Sequence, residues 1–169
     1  MEVIVSSKKL AVSQAKEFKP DFVISIADPD DTHPVFTTKS EVLSLDFHDI
    51  SFENKSPYFL EHYTLPSRED VQRIYDFAKT NFDDASRVLV HCYAGISRSS
   101  AASIISLCAH MPFRNAVDKI ANLETMTYTG YIESGHIWFA PNALMIQYAD
   151  EMLGLNGEMM EYVSGKFRY

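Results

Sequence analysis

The order of apolar and polar positions predicts β-strands that alternate with helices along the chain. Short runs rich in β-branched residues, typical of buried strands, occur at Glu2–Val5, Phe22–Ile26, Glu41–Phe47 and Arg87–Val90. Apolar residues at helical spacing predict helices that follow Ser6 or Ser7, Ser67, Arg98, Pro112 and Pro141. We therefore expect an α/β fold, in which helices cover both faces of a mainly parallel sheet of four to five strands.

The helix that begins at Arg98 is apolar on most sides and is expected to run, central and buried, to about His110. Other segments carry weaker patterns. Residues 48–66 show neither helical nor strand periodicity, and residues 126–139 have no assignment. Gly154 marks the end of the last clear helix, so residues 155–169 either pack back onto the domain or meet a partner.

Composition and charge limit the classes of function. The 169 residues are 46% hydrophobic and 22% charged, which fits one globular domain spanning 1–169. The formal net charge of −8 argues against a general surface for nucleic acid or for an anionic membrane. The sequence shows no signal peptide and no apolar run of membrane-spanning length, which favours a cytoplasmic protein. An anionic ligand would therefore need a local site, and the oligomeric state stays open.

One stretch supplies such a site: His91-Cys92-Tyr93-Ala94-Gly95-Ile96-Ser97-Arg98-Ser99, directly after the fourth predicted strand. A tight loop between a strand and a helix points backbone N–H groups and the positive end of the helix dipole at an anion. This environment favours a thiolate at Cys92. The planar guanidinium of Arg98 can hold two phosphate oxygens at once. Together these residues predict phosphoryl transfer through a cysteinyl-phosphate.

The pattern His91-Cys92-x-x-Gly95-x-x-Arg98-Ser99 resembles the signature of the cysteine-dependent protein tyrosine phosphatases. The local form Cys-x-Ala-Gly-Ile-Ser-Arg-Ser is most similar to the dual-specificity and small microbial members. The resemblance implies their fold and a hydrolysis of phosphate monoesters that needs no metal and no cofactor. It implies that Cys92 is the nucleophile and that the phosphate-binding loop consists of Tyr93, Ala94, Gly95, Ile96, Ser97 and Arg98.

The same resemblance implies a general acid on the loop after the third predicted strand. Asp49 is our first choice, because it lies just past the strand and could move over the pocket. Asp46 is the alternative, although strand alternation favours a structural role for it. The chain between Asp49 and Cys92 is longer than in the shorter dual-specificity members, and an insertion over residues 51–66 would account for this.

Three further residues of the signature have two interpretations each. By the resemblance, His91 is buried and tunes Cys92, but a plain core histidine fits equally well. Ser99 either donates a hydrogen bond to the Cys92 sulfur or caps the helix start, and both are compatible. Gly95 is expected to adopt a positive φ or to let the backbone close on the phosphate. Asn142, in Pro141-Asn142-x-x-x-x-Gln147, matches the start of the last helix in dual-specificity phosphatases and is interpreted as structural.

Side chains in and near the loop limit the classes of substrate that we expect. None of the residues between Cys92 and Arg98 is basic. By the same resemblance, this absence disfavours a phosphoinositide and favours a single phosphate ester, most of all phosphotyrosine on a protein. Phosphoserine, phosphothreonine and a small non-protein phosphate ester remain alternatives. Three aromatic residues of the long segment either wall a phosphotyrosine pocket or pack the segment down: Tyr58, Phe59 and Tyr63.

Cys108 is the second of the two cysteines in the sequence, and two alternative functions also use or bind at a loop like that of Cys92. Cys108 lies far along the helix from Cys92, so it is a poor partner for an oxidised Cys92 and is expected to be a small apolar core residue. A rhodanese-like sulfurtransferase also uses a loop cysteine before a helix. A catalytically silent module that binds phosphopeptides is the second rival, which the intact Cys92 and Arg98 disfavour.

Overall fold

A computed structural model of the chain describes residues 1–123 and 139–167. Within them, four strands form one sheet in the order β1-β4-β2-β3, and all three strand pairs are parallel. The strands are β1 (Glu2–Ser7), β2 (Phe22–Ala27), β3 (Glu41–Asp46) and β4 (Arg87–Cys92). The helices are α1 (Lys8–Phe18), α2 (Pro57–His62), α3 (Arg68–Asn81), α4 (Arg98–Leu107), α5 (Phe113–Ala121), α6 (Ala143–Leu153) and α7 (Glu158–Lys166). The expected α/β fold is confirmed.

Strand β4 is central, and its two neighbours explain why it is almost wholly buried. It pairs with β1 on one side, where Ser7 is opposite Cys92, and with β2 on the other, where Ser25 is opposite His91. Five of its six residues are buried. Because every strand points the same way, β4 delivers Cys92 to the edge where the other strands also end.

The helices cover both faces of the sheet, as the sequence predicts. Helix α1 covers one face, where Ala11 and Ala15 pack on Val23 and Leu89. Helices α3, α4 and α6 build the larger core on the other face. All ten residues of α4 are buried, and the hydroxyls of Ser103 and Ser106 donate to carbonyls of the preceding turn, which lets polar side chains lie inside the core.

Some predicted boundaries are wrong, each for a local reason. Helix α4 ends at Leu107 rather than near His110, and β3 ends at Asp46 rather than Phe47. Residues 48–66 contain the short helix α2, although they show no periodicity, because none of its six described residues is buried. Only its proline at the first turn marks its start. The unassigned segment 126–139 lies outside the described residues except for Phe139. No helix in 1–123 or 139–167 has the length and apolar character needed to cross a bilayer.

Residues 155–167 pack back onto the domain through α7. Met159, Val163 and Phe167 are buried in the main core. The start of α7 is held by the buried Asp150 of α6, whose two carboxylate oxygens accept from the backbone N–H of Gly157 at 2.7 Å and of Met159 at 2.8 Å. One carboxylate therefore satisfies two backbone donors that the first turn of a helix leaves unpaired.

We predict that Asp150→Ala lowers the free energy of unfolding by about 1–3 kcal/mol, because two backbone N–H groups lose their partner. Urea denaturation at neutral pH measures the change. Glu161→Gln is the matched control on an exposed side chain of α7 and should shift the same value by less than about 0.5 kcal/mol. Equal stability of Asp150→Ala and the control would contradict the role given to Asp150.

Candidate active site

The loop between β4 and α4 is held on two sides. The backbone N–H of Lys8, at the start of α1, donates to the Tyr93 carbonyl. On the other side, Ala140 and Asn142 donate their backbone N–H groups to Ile96 and Ser97. Gly95 has φ +77, and a Cβ there would lie 2.7 Å from backbone atoms of Ser6 and Ser7 at the end of β1. Of the two alternatives expected for this glycine, the positive φ is present, and the close approach that the structure shows is to the end of β1.

Cys92 lies at the base of the loop with polar donors around its sulfur. The residue is 1% exposed. Its Sγ accepts a hydrogen bond from the Gly95 backbone N–H at 3.3 Å and lies 3.2 Å from the Ser99 hydroxyl oxygen. The thiol donates to Ser99 Oγ in this arrangement, and once the sulfur has lost its proton the Ser99 hydroxyl can turn and donate to it together with the Gly95 N–H, which stabilises the negative charge. The structure therefore brings together three of the predicted residues, with Ser99 beside the sulfur rather than on a helix-capping contact.

Arg98 is anchored at one end only. Its side chain is 3% exposed, and Nη1 donates to Asp28 Oδ1 and to the Phe47 carbonyl, both at 2.6 Å. Its Nε is buried and has no hydrogen-bond partner among the described residues. A buried guanidinium N–H without a partner is costly, so this group is suited to an anion bound in the loop.

Asp28 is a site residue that the sequence reading missed. It belongs to the segment after β2, which is rich in turn-forming residues and carries no motif that predicts a role in a site. A signal was available, because the carboxyl ends of parallel strands meet at one edge and Asp28 follows β2 there. Its carboxylate, 36% exposed, neutralises and orients Arg98.

Asp49 reaches the same loop from the end of β3. Its Oδ1 accepts from the Ser97 hydroxyl at 2.7 Å and from the Asn142 side-chain amide at 2.8 Å. Its Oδ2 lies 3.9 Å from Arg98 Nε, and the side chain is 38% exposed. The candidate acid is therefore next to the phosphate loop and still open to solvent.

Asn142 has the structural role predicted for it and a second one. Its Oδ1 accepts from the Met145 backbone N–H, which caps α6. Its amide nitrogen donates to Asp49 and to the Ile50 carbonyl. The interpretation of Asn142 as purely structural is therefore incomplete, because it also fixes the candidate acid.

Asp46 and His91 belong to a separate polar chain. Asp46 accepts from His33 Nε2 at 2.9 Å, and no described contact joins it to Cys92 or Arg98. His91 is fully buried, and its Nε2 is 2.6 Å from Ser25 Oγ. Burial lowers the pKa of His91 to about 4, against a smaller opposing interaction with the Cys92 backbone. The ring is thus neutral at physiological pH and is not suited to carry a proton to a substrate.

Cys108 is at the far end of α4 from Cys92. It caps a helix of ten residues, about 15 Å long. Burial raises the pKa of the Cys108 thiol to about 12. A half-buried, protonated thiol that packs against the core at that distance fits the expected apolar residue and not a redox partner of Cys92.

The aromatic residues of the long segment form a cluster of their own near Asp49. Phe59 packs on Phe52 and Tyr63, and Tyr63 packs edge-on against His48. Tyr58 is 72% exposed, so the cluster packs the segment together and still presents rings to solvent. Tyr93, within the loop itself, is 68% exposed.

In the described residues, no group of three or more His, Cys, Asp and Glu side chains is arranged to hold a metal ion. The loop offers backbone N–H groups, an arginine and hydroxyls, which are ligands for an anion rather than for a cation.

Comparison with known proteins agrees with this architecture. No protein-family model matches the sequence, and no curated protein matches it significantly. Solved structures do match. Human tyrosine phosphatase-like serine/threonine/tyrosine-interacting protein has 19% sequence identity and a TM-score of 0.60, and the match covers 91% of this chain and 92% of that one.

Human DUSP28 has 13% identity and a TM-score of 0.59, over 91% of this chain and 94% of that one. A mouse putative dual specificity phosphatase has 13% identity and a TM-score of 0.55, over 89% and 83%. The protein therefore has the fold of the dual-specificity phosphatases, as the signature implied. At 13–19% sequence identity, the similarity establishes the fold and does not by itself establish the activity.

We predict that Gly95→Ala is far more damaging than Gly154→Ala, although both glycines have similar positive φ values of +77 and +67. Each substitution costs about 1–2 kcal/mol, because alanine disfavours a left-handed backbone. Only Gly95→Ala would also displace the end of β1, because nothing lies within 4 Å of a Cβ at Gly154. We expect an additional loss of about 1–3 kcal/mol in urea denaturation. Equal losses would mean that the loop is not pressed against β1.

Proposed function

We propose that the protein is a metal-independent phosphatase that hydrolyses phosphate monoesters, most of all phosphotyrosine on proteins, through a cysteinyl-phosphate. The observation that carries the proposal is the buried, unpartnered Nε of Arg98, in the same loop as the sulfur of Cys92. An anion held there would meet a nucleophile, a guanidinium and a ring of backbone N–H groups at once.

The first step follows from the contacts of Cys92 and Arg98. The sulfur attacks phosphorus in line, forming the S–P bond as the bond from phosphorus to the ester oxygen breaks. Arg98, anchored through Nη1 by Asp28, turns its Nε edge to the equatorial oxygens. Because that orientation is set before binding, little ordering of the guanidinium is needed in the transition state.

Asp49 is the proposed general acid and base. In the first step its proton goes to the departing oxygen, and in the second it removes a proton from the water that attacks the cysteinyl-phosphate. Asp28 has a different task, because a carboxylate 2.6 Å from Arg98 Nη1 serves as the acceptor that orients the guanidinium. As the S–P bond breaks, the Ser99 hydroxyl and the Gly95 N–H stabilise the leaving thiolate.

Two features support a singly phosphorylated aromatic substrate. The loop residues between Cys92 and Arg98 carry no positive charge, so further phosphates would find no partner there. The exposed Tyr93 and the aromatic cluster around Tyr63 flank the loop and Asp49, where they can contact an aryl ring. A small non-protein aryl phosphate is the alternative substrate for the same residues.

We predict that the protein hydrolyses 4-nitrophenyl phosphate in the presence of a chelator and that Cys92→Ser abolishes this activity. The alcohol of serine is a far weaker nucleophile than a thiolate at neutral pH. Cys108→Ser is the matched control and should keep most of the activity, because Cys108 is remote from the loop. Activity that survives Cys92→Ser would overturn the mechanism. Transfer of sulfur from thiosulfate to cyanide would indicate a sulfurtransferase, and phosphopeptide binding without turnover would indicate a silent binding module.

We predict that Asp49→Ala lowers kcat/KM by about 10²–10⁴-fold on phosphotyrosine, because kcat/KM reports the step in which the leaving oxygen departs and that oxygen is no longer protonated. The loss should be clearly smaller on 4-nitrophenyl phosphate, whose phenolate leaves without a proton. Asp46→Ala is the comparison, and its loss should be smaller and independent of the leaving group. If the dependence on the leaving group appears in Asp46→Ala instead, Asp46 is the acid.

A further inference from the structure

A chain of four polar side chains runs from the catalytic strand to the surface. His91 Nε2 is 2.6 Å from Ser25 Oγ, and the same Oγ is 2.6 Å from His33 Nδ1. His33 Nε2 is in turn 2.9 Å from Asp46 Oδ1. The chain crosses from β4 to β2 and on to the end of β3, and its exposure rises from the buried His91 to Asp46, whose side chain is 55% exposed.

The donors and acceptors allow one arrangement when His33 is neutral. The Asp46 carboxylate can only accept, so His33 must carry its proton on Nε2, and its Nδ1 must accept from the Ser25 hydroxyl. The Ser25 oxygen then accepts from His91, which fixes the His91 proton on Nε2. Nδ1 of His91 is left with a lone pair and no hydrogen-bond partner among the described residues.

Protonation of His33 reverses the direction of the chain. His33 then donates from both nitrogens, to Asp46 and to the Ser25 oxygen. The Ser25 hydroxyl must turn its proton toward His91 Nε2, which becomes an acceptor. A neutral His91 must then carry its proton on Nδ1, on the side of the ring where the Cys92 backbone interacts with it.

The other charged groups near His33 do not change these donor and acceptor assignments, because none of them replaces one of the hydrogen bonds between His91, Ser25, His33 and Asp46. Lys8, at the start of α1, is paired with Asp31 at 2.6 Å. Asp31 interacts electrostatically with His33, and Lys8 interacts electrostatically with His91. Arg98 acts on His91 from α4. Asp46, from β3, remains the partner that His33 contacts directly.

We propose that Ser25, His33 and Asp46 are positioning residues that set which ring nitrogen of His91 carries the proton, according to the charge of His33. The inference that this affects catalysis rests on the proposed function. A proton on Nδ1 directs an N–H dipole toward the Cys92 backbone, whereas a lone pair directs negative charge there. The reactivity of the Cys92 thiolate should therefore follow the charge of His33, although the two residues do not touch.

The direct test is a ¹⁵N NMR titration of the histidine rings between pH 5 and 8, where His91 itself remains neutral. We expect the His91 proton to shift from Nε2 to Nδ1 as pH falls, with the same midpoint as the protonation of His33. In His33→Gln the residue at 33 stays neutral, so the His91 tautomer should not change with pH. A His91 tautomer that is constant across the His33 titration of the native protein would overturn the proposal.

The second test measures the rate at which iodoacetamide alkylates Cys92 as a function of pH, in protein without substrate. We expect an inflection at the His33 midpoint in the native protein, with a change of several-fold, and its loss in both His33→Gln and Ser25→Ala. His110→Gln, which replaces an exposed histidine beyond the far end of α4, should keep the inflection. Circular dichroism checks that each variant is folded.

Persistence of the inflection in folded His33→Gln would overturn the proposal. Neither readout needs turnover, so the two proposals can fail separately. A His33-dependent tautomer in a protein without phosphatase activity would leave the positioning chain intact and refute the proposed function.

Discussion

The parallel register of the four strands is the constraint on which the site depends. Parallel strands bring their carboxyl ends to one edge, and each of the four ends here carries a part of the site. Ser6 and Ser7 of β1 press against the loop glycine, and Asp28 follows β2. β3 is followed by the Phe47 carbonyl and Asp49, and β4 ends in Cys92. No single strand or loop contains the chemistry.

Arg98 shows how an acidic chain with a net charge of −8 can offer an anion site. A buried guanidinium is costly unless it is paired, and Asp28 with the Phe47 carbonyl pairs one end of it. The other end stays close to Asp49 but without a hydrogen bond. One end of the guanidinium is thus hydrogen-bonded by the fold, and the Nε at the other end is left without a hydrogen bond and is suited to an anion in the loop.

The sequence predicted those parts of the site whose residues lie close together in the chain. Cys92, Gly95, Arg98 and Ser99 fall within eight consecutive residues, so their spacing alone predicts that they lie close together. Asp28 and the second role of Asn142 depend on contacts across 70 and 93 positions, which no local pattern encodes. Helix α2 was not predicted, because none of its described residues is buried and it therefore shows no apolar periodicity. The role of Asp150 was not predicted either, because a carboxylate that caps the next helix leaves no periodic pattern in the sequence.

The segment from His48 to Thr64 closes on itself at its base. The His48 N–H donates to the Thr64 carbonyl, and the Thr64 N–H donates to His48 Nδ1. Since the aromatic rings inside it pack mainly on one another and none of the described residues of α2 enters the core, residues 51–63 form an exchangeable unit. Asp49, which precedes this unit, is bonded to Ser97 and Asn142 and belongs to the site. The residues of the unit can be substituted, or its length changed, while the sheet and the loop of Cys92 keep their geometry. Under the proposed function, the residues that contact a substrate can therefore change while Cys92 and Arg98 keep their positions.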